Sequence, residues 1–250
     1  MAVSAQRAGV YAVFAYDHLF RTGIDGVRRP AIECFALMAA VAGETRNIKV
    51  GSMVVRASLR PAAVVAANVT ALVAVAGGTR LIMGIGAGDS QSVAEHDAFG
   101  IPFPQLDERV AALRTTAAAV GVAAPTVPRW IAGTHHKLRS VAAEFGGLNV
   151  WGASPDQFAV YARELHDANP DAIATWGGLV VFGATDDDAH ERARRLRAPS
   201  NAIVGSAETV AQQLRRYEES DAEVCVLAPV DASNAYNPLW CAVVQENFRW

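Results

Sequence analysis

Four short stretches of this 250-residue chain carry groups that could do chemistry, and each closes an apolar run. The first is Tyr16-Asp17-His18. A histidine exchanges protons near neutral pH, and an adjacent acid biases its surroundings; a polar strand end capping a loop is the plainer alternative. The second is Gly84-Ile85-Gly86-Ala87-Gly88-Asp89. Alternating glycines let a backbone approach a ligand and turn N–H groups toward phosphate, although a tight turn with positive φ would use the same residues. It is not the dinucleotide fingerprint, because its third glycine comes one position early and the next helical pattern begins only near Leu106. The third, Ile131-Ala132-Gly133-Thr134-His135-His136, runs small residues into a helix start, where free N–H groups suit an anion. Its paired histidines point apart and no carboxylate or cysteine follows at ligand spacing, so no metal is expected. The fourth, Gly51-Ser52-Met53-Val54-Val55-Arg56, has nothing in its composition alone to mark it.

These stretches need elements to position them. Nearly continuous apolar runs at 12–16, 48–55, 80–86, 129–133, 148–151, 175–183 and 223–228 read as strands buried on both faces. Helical patterns at 31–42, 62–76, 106–120, 137–145, 155–168, 186–197 and 207–220 alternate with them, and a last one spans 237–248. Ser154 before Pro155, Thr185 before an acidic turn and Ser206 before Glu208 are start signals. The alternation predicts parallel strands with crossover helices, in a single α/β domain over residues 1–250. Seven units are visible where a closed (β/α)8 TIM-like barrel needs eight, and residues 6–9 lead straight into the first strand, as if the chain began inside the first helix. An open seven-stranded sheet is the alternative. In a barrel the chemistry gathers at the C-terminal strand ends, where all four stretches lie.

Composition limits the partners. With 52% hydrophobic and 19% charged residues a large core is available. A net charge of −3 gives no case for nucleic acid or an anionic membrane. Arg192, Arg194, Arg195 and Arg197 lie in an acid-rich helical pattern and read as a solvated face. Cys34, Cys225 and Cys241 form no metal-like spacing or disulfide framework, which fits a reducing compartment. The first residues do not read as a signal peptide, and the Ala/Val-rich run over 61–76 is short for a membrane span and broken by Asn68 and Thr70. A cytoplasmic protein acting on a small molecule is expected.

Taken together and in order, these segments resemble the bacterial-luciferase-like flavin and deazaflavin oxidoreductases. Ala15-Tyr16-Asp17-His18-Leu19-Phe20 is similar to that family's DHLF strand end, and Gly77–Gly88 to its GGR segment with alternating glycines. Glu95, the stretch from Ala98 to Phe103 and Arg109 match its next motif. Ala132-Gly133-Thr134 with Leu138 and Ala142, then Val204–Val210, extend the likeness to about residues 9–228, more thinly after residue 110.

The resemblance implies a barrel holding coenzyme F420, or alternatively FMN, across its C-terminal mouth, with hydride passing between the deazaflavin and a small organic substrate. It implies a non-proline cis peptide in the strand carrying Ser52, Met53 and Val54, behind the cofactor ring. It assigns the cofactor phosphate to Ala87, Gly88, Ala132, Gly133 and Thr134, proton transfer to His18 and Asp89, and orientation of the site to Asp17. A homodimer is expected. An FMN-dependent monooxygenase and a non-catalytic flavin-binding relative are the competing readings. Four departures bear on them: the family's first strand is missing, the insertion between the fourth helix and the next strand is cut to Gly121–Val127, the stretch between Arg197 and Val204 is abbreviated, and Arg56-Ala57 replaces Thr-Pro. Shortened loops imply an open mouth or a lid from a partner subunit.

Overall fold

A short helix α1 (Ala2–Arg7) precedes strand β1 (Ala12–Ala15), and a small antiparallel ribbon follows, β2 (Phe20–Thr22) with β3 (Arg28–Pro30). The computed structural model describes residues 1–22 and 27–230. The helix expected over 237–248, and Cys241, lie outside the described residues.

The chain divides into two compact units, one of residues 12–146 and one of residues 1–11 with the chain from Gly147 onward. In the first, α2 (Cys34–Glu44) leads to β4 (Lys49–Arg56), α3 (Ala62–Ala76) to β5 (Leu81–Gly86), and α4 (Val93–Ala98) with α5 (Leu106–Ala123) to β6 (Arg129–Ala132), before α6 (His136–Phe145). The strands are parallel in the order β1-β4-β5-β6. All six residues of β5 are buried, as a central strand covered on both faces requires. The link between α5 and β6 is short, as the sequence indicates.

The second unit holds β7 (Gly147–Trp151), α7 (Pro155–Ala168), β8 (Ile173–Phe182), α8 (Asp186–Leu196), β9 (Ile203–Gly205), α9 (Ala207–Glu218) and β10 (Val224–Pro229). β8 pairs in parallel with β7, β9 and β10. Four parallel strands in each unit make eight, and the additional one is β9, three residues long and held by the upper part of β8. All seven expected strands and all seven expected helices before residue 230 are present, with ends shifted by up to three residues. Among the described residues no helix is long and apolar enough to cross a membrane.

β4 and β5 fit together unusually closely. The peptide bond Met53–Val54 is cis, and the pairing of β4 with β5 shifts register between Ser52 and Val55. A Cβ on Gly84 would lie 2.2 Å from the Ser52 carbonyl oxygen, and one on Gly86 would lie 2.6 Å from Val54 Cγ2. Two of the three alternating glycines therefore make room for the neighbouring strand, not for a ligand.

Candidate functional site

Register sets four strand ends at one edge of the first unit's sheet. Ala15 is level with Ser52, Arg56 with Gly86, and Gly86 with Ala132. Asp17-His18, Arg56, Ala87-Gly88 and Gly133-Thr134 thus leave adjacent strands on the same side, each neighbouring pair of strands about 5 Å apart. Hydrogen bonds draw the ends closer still: the Arg56 N–H donates to Asp17 Oδ2 at 3.0 Å, and the Ala57 N–H to the Gly86 carbonyl at 2.9 Å.

Asp17 and His18 are consecutive but serve different partners. Asp17 is buried and receives both arms of the Arg60 guanidinium, at 2.7 and 2.9 Å. Arg60 also donates at 2.6 Å to Glu33, whose other oxygen caps α2 by accepting from the Ala36 N–H. Asp17 thereby ties the end of β1 to the loop after β4 and, through Arg60 and Glu33, to the start of α2. It does not hold His18.

The acid on His18 is Glu95, which was matched in the sequence only as part of a motif. Glu95 sits in α4, is 4% exposed, and faces His18 Nδ1 at 2.5 Å through Oε1. Its Oε2 accepts from the Leu19 N–H at 2.6 Å and from Arg56 Nη2 at 2.8 Å. Burial alone would raise the Glu95 carboxyl, but the donors from His18 and Leu19 and the Arg56 charge hold it below the usual carboxylate range. The imidazole itself is partly exposed, its side chain retaining 39% of its accessible surface. Arg56 is 4% exposed, and its Nε and Nη1 have no hydrogen-bond partner among the described residues.

The next helix segment is held by a second histidine. His96 is fully buried, donates from Nδ1 to the Pro102 carbonyl at 2.9 Å, and turns Nε2 to the Ser58 hydroxyl at 3.4 Å. Arg109 donates to the Pro104 carbonyl at 2.7 Å and lies over the Phe103 ring. These contacts clamp residues 99–104 and so fix the height of α4, which carries Glu95.

The remaining candidates lie as follows. Ser52 is buried and donates to the Gly84 carbonyl at 2.8 Å, while Met53 and Val54 are half-buried. Ala87 is buried, and Gly88 has φ +78°, with Ser58 Oγ 3.4 Å from where its Cβ would be. Gly133 has φ +137°, and a Cβ there would meet Leu138 Cδ1 at 2.4 Å, so this turn into α6 admits only glycine. Ala132 is half-buried and Thr134 exposed, with the Thr134 carbonyl accepting from Arg139. Asp89 is exposed and accepts from the Ser92 hydroxyl at 3.3 Å. Neither described cysteine suits nucleophilic chemistry: burial, then the nearby Asp17 and Glu33, push the Cys34 thiol up, and burial, then Glu218, pushes Cys225 up to about 12.

A family model described as luciferase-like monooxygenase matches residues 1–201. The chain belongs to the luciferase-like monooxygenase family. Solved structures agree on the fold. An F420-dependent secondary alcohol dehydrogenase in complex with an F420-acetone adduct superposes with a TM-score of 0.77 at 16% identity, covering 99% of this chain and 93% of that one. A coenzyme F420-dependent tetrahydromethanopterin reductase from Methanopyrus kandleri gives 0.72 at 14%, covering 98% and 91%. The EDTA monooxygenase of Chelativorans sp. BNC1 gives 0.76 at 14%, covering 98% and 84%. No curated protein sequence matches. The fold is accordingly the α/β barrel fold of luciferase-like oxidoreductases, with the cis peptide in the strand where the family likeness implies it.

Proposed function

We propose that this protein is a coenzyme F420-dependent oxidoreductase that moves a hydride between the deazaflavin and a small alcohol or carbonyl substrate. The observation that carries the reading is the meeting of four strand ends at one edge, with a partly exposed imidazole held by a buried carboxylate. Support for a deazaflavin comes from two of the superposing enzymes, whose names state F420 dependence.

The residues present fit such a group. Ala87, Gly88 and Gly133 leave little side-chain bulk at the ends of β5 and β6. Thr134 and the start of α6 follow directly, where helix N–H groups favour phosphate. Ser52, Met53 and Val54 would back the ring. When bound, the deazaflavin supplies the hydride-carrying carbon. The chain's part is to hold it, to position the substrate, and to exchange at His18 the proton that balances the hydride; Asp89 has a share in that exchange, and Asp17 orients the rim. The matching family and the EDTA monooxygenase keep an FMN-dependent monooxygenase as the second reading.

A homodimer is part of the proposal. Helix α3 carries no charged residue, and its Val64 and Val75 stay 46% and 50% exposed, an apolar face that a second copy would cover. Sedimentation reads the oligomeric state directly.

Titrating F420 and FMN side by side, with tryptophan fluorescence as the signal, tests the cofactor. Low-micromolar or tighter F420 binding is expected; no binding near 100 µM, weaker than about −5.5 kcal/mol, overturns the reading. Tighter FMN binding with oxygen consumption favours the monooxygenase. Cofactor bound by a His18→Ala variant with wild-type turnover removes His18 from the chemistry.

A further inference from the structure

We propose that Glu95 is a positioning residue that holds His18 in the Nδ1–H tautomer and leaves Nε2 as the atom exchanging a proton with a hydroxyl or carbonyl substrate. The inference rests on the oxidoreductase reading for its purpose, but its geometry stands without it.

The two carboxylate oxygens are not equivalent. Oε2 is occupied by two donors that can only donate, the Leu19 backbone N–H at 2.6 Å and Arg56 Nη2 at 2.8 Å. Among the described residues, Oε1 has one hydrogen-bond partner, His18 Nδ1, at 2.5 Å. An ionised carboxylate accepts and never donates, and the donors around Glu95 keep it ionised. Nδ1 must then carry the hydrogen. In a neutral imidazole this leaves the lone pair on Nε2, on a side chain that keeps 39% of its accessible surface. A carboxylate 77 residues away in the chain thereby decides which nitrogen does chemistry.

Arg56 makes this arrangement one-directional. Because Arg56 and Leu19 both donate to Oε2, an amide at position 95 must keep its oxygen there and turn its NH2 toward His18. Glu95→Gln therefore does more than remove a charge. It presents a donor to Nδ1, which is compelled to accept, and the hydrogen moves to Nε2. The group that should take a substrate proton would then already be protonated. With an alcohol substrate, Nε2 would take the hydroxyl proton while a bound deazaflavin would accept the carbinol hydride; in the reverse direction the imidazolium would return that proton to the carbonyl oxygen. Both directions need Nδ1–H fixed on Glu95.

The test is an imidazole ¹H–¹⁵N correlation spectrum of the full-length protein labelled at histidine, with the His18 signals assigned as those absent from His18→Gln. Wild type is expected in the Nδ1–H form, Glu95→Gln in the Nε2–H form, and Glu95→Asp, which keeps a carboxylate, in the Nδ1–H form. Thermal unfolding shows which variants are folded; should Glu95→Gln fail to fold, wild type and Glu95→Asp still decide the tautomer. Turnover should fall roughly 10²- to 10⁴-fold in Glu95→Gln, with cofactor affinity unchanged, and recover in part in Glu95→Asp. An Nε2–H wild type, or a Glu95→Gln variant that keeps Nδ1–H, overturns the proposal whatever cofactor the protein uses. A flipped tautomer with unaltered turnover leaves Glu95 as the holder of the tautomer and refutes the catalytic use of His18, so the two failures are distinguishable.

Discussion

The two compact units are stabilised by different means. In the unit of residues 12–146 the buried polar groups include charged ones that reach far along the chain, Asp17 to Arg56 and Arg60 and Glu95 to His18 and Arg56, beside buried hydroxyls such as Ser52 and Thr116. In the chain from Gly147 to Val230 the buried polar side chains are Asn149 and Thr175, which satisfy each other and the Leu148 carbonyl between adjacent strands. Its helices α7, α8 and α9 each begin on a side-chain cap from the residue just before them. Ser154 and Gln157 form a capping box on α7, Thr185 caps α8 ahead of three aspartates, and Ser206 caps α9. Arg194 and Arg195 close α8 at the end where the helix dipole favours cations. Buried ion pairs are poor sources of net stability, so concentrating them in one unit marks it as the place where position matters more than strength.

That contrast can be broken at three levels. The largest effect is expected from Gly84→Val. Its first side-chain carbon would stand 2.2 Å from the Ser52 carbonyl oxygen, which is main chain and has nowhere to go. A loss above about 3 kcal/mol is expected, read as a shift in the urea midpoint; a near-wild-type midpoint would mean β4 and β5 are not interlocked as described. Next comes Arg60→Ala. It leaves the Asp17 carboxylate buried with, among the described residues, the Arg56 N–H as its remaining partner, at a cost of about 2–3 kcal/mol. A change below about 0.5 kcal/mol would show that the link from Asp17 to α2 contributes no order. The smallest is Ser154→Ala in the other unit, about 1 kcal/mol for one cap. If that loss matched the Arg60→Ala value, the contrast between the units would have no energetic content.

The same contrast decides what was legible in the sequence. Helices α3 and α7 begin and end where their pattern does, the latter because Ser154-Pro155 is an unmistakable start. Helix α2 starts later than its apolar pattern, since the Glu33 side chain bonds the Ala36 N–H and fixes the first turn there. Strand β9 was invisible because three residues are too few to display a period; only its pairing with β8 makes it a strand. In the site, His18 was legible because it follows an apolar run directly. Its partner was not, since no spacing rule connects positions 18 and 95. Arg56 looked like a departure from a family pattern, yet it supplies both a backbone donor to Asp17 and a side-chain donor to Glu95. Adjacency in sequence suggested that Asp17 serves His18, whereas consecutive residues at a strand end turn opposite ways and took different partners.

Val54 occupies a notch cut by Gly84 and Gly86. Sliding β4 one residue along β5 would drive its isopropyl group into main chain, so the offset of these strands is keyed. Arg56 stays level with Gly86 because Val54, two residues beneath Arg56, is seated in that notch. Engineering of the mouth can therefore proceed freely above this joint, provided the three residues that form it are left untouched.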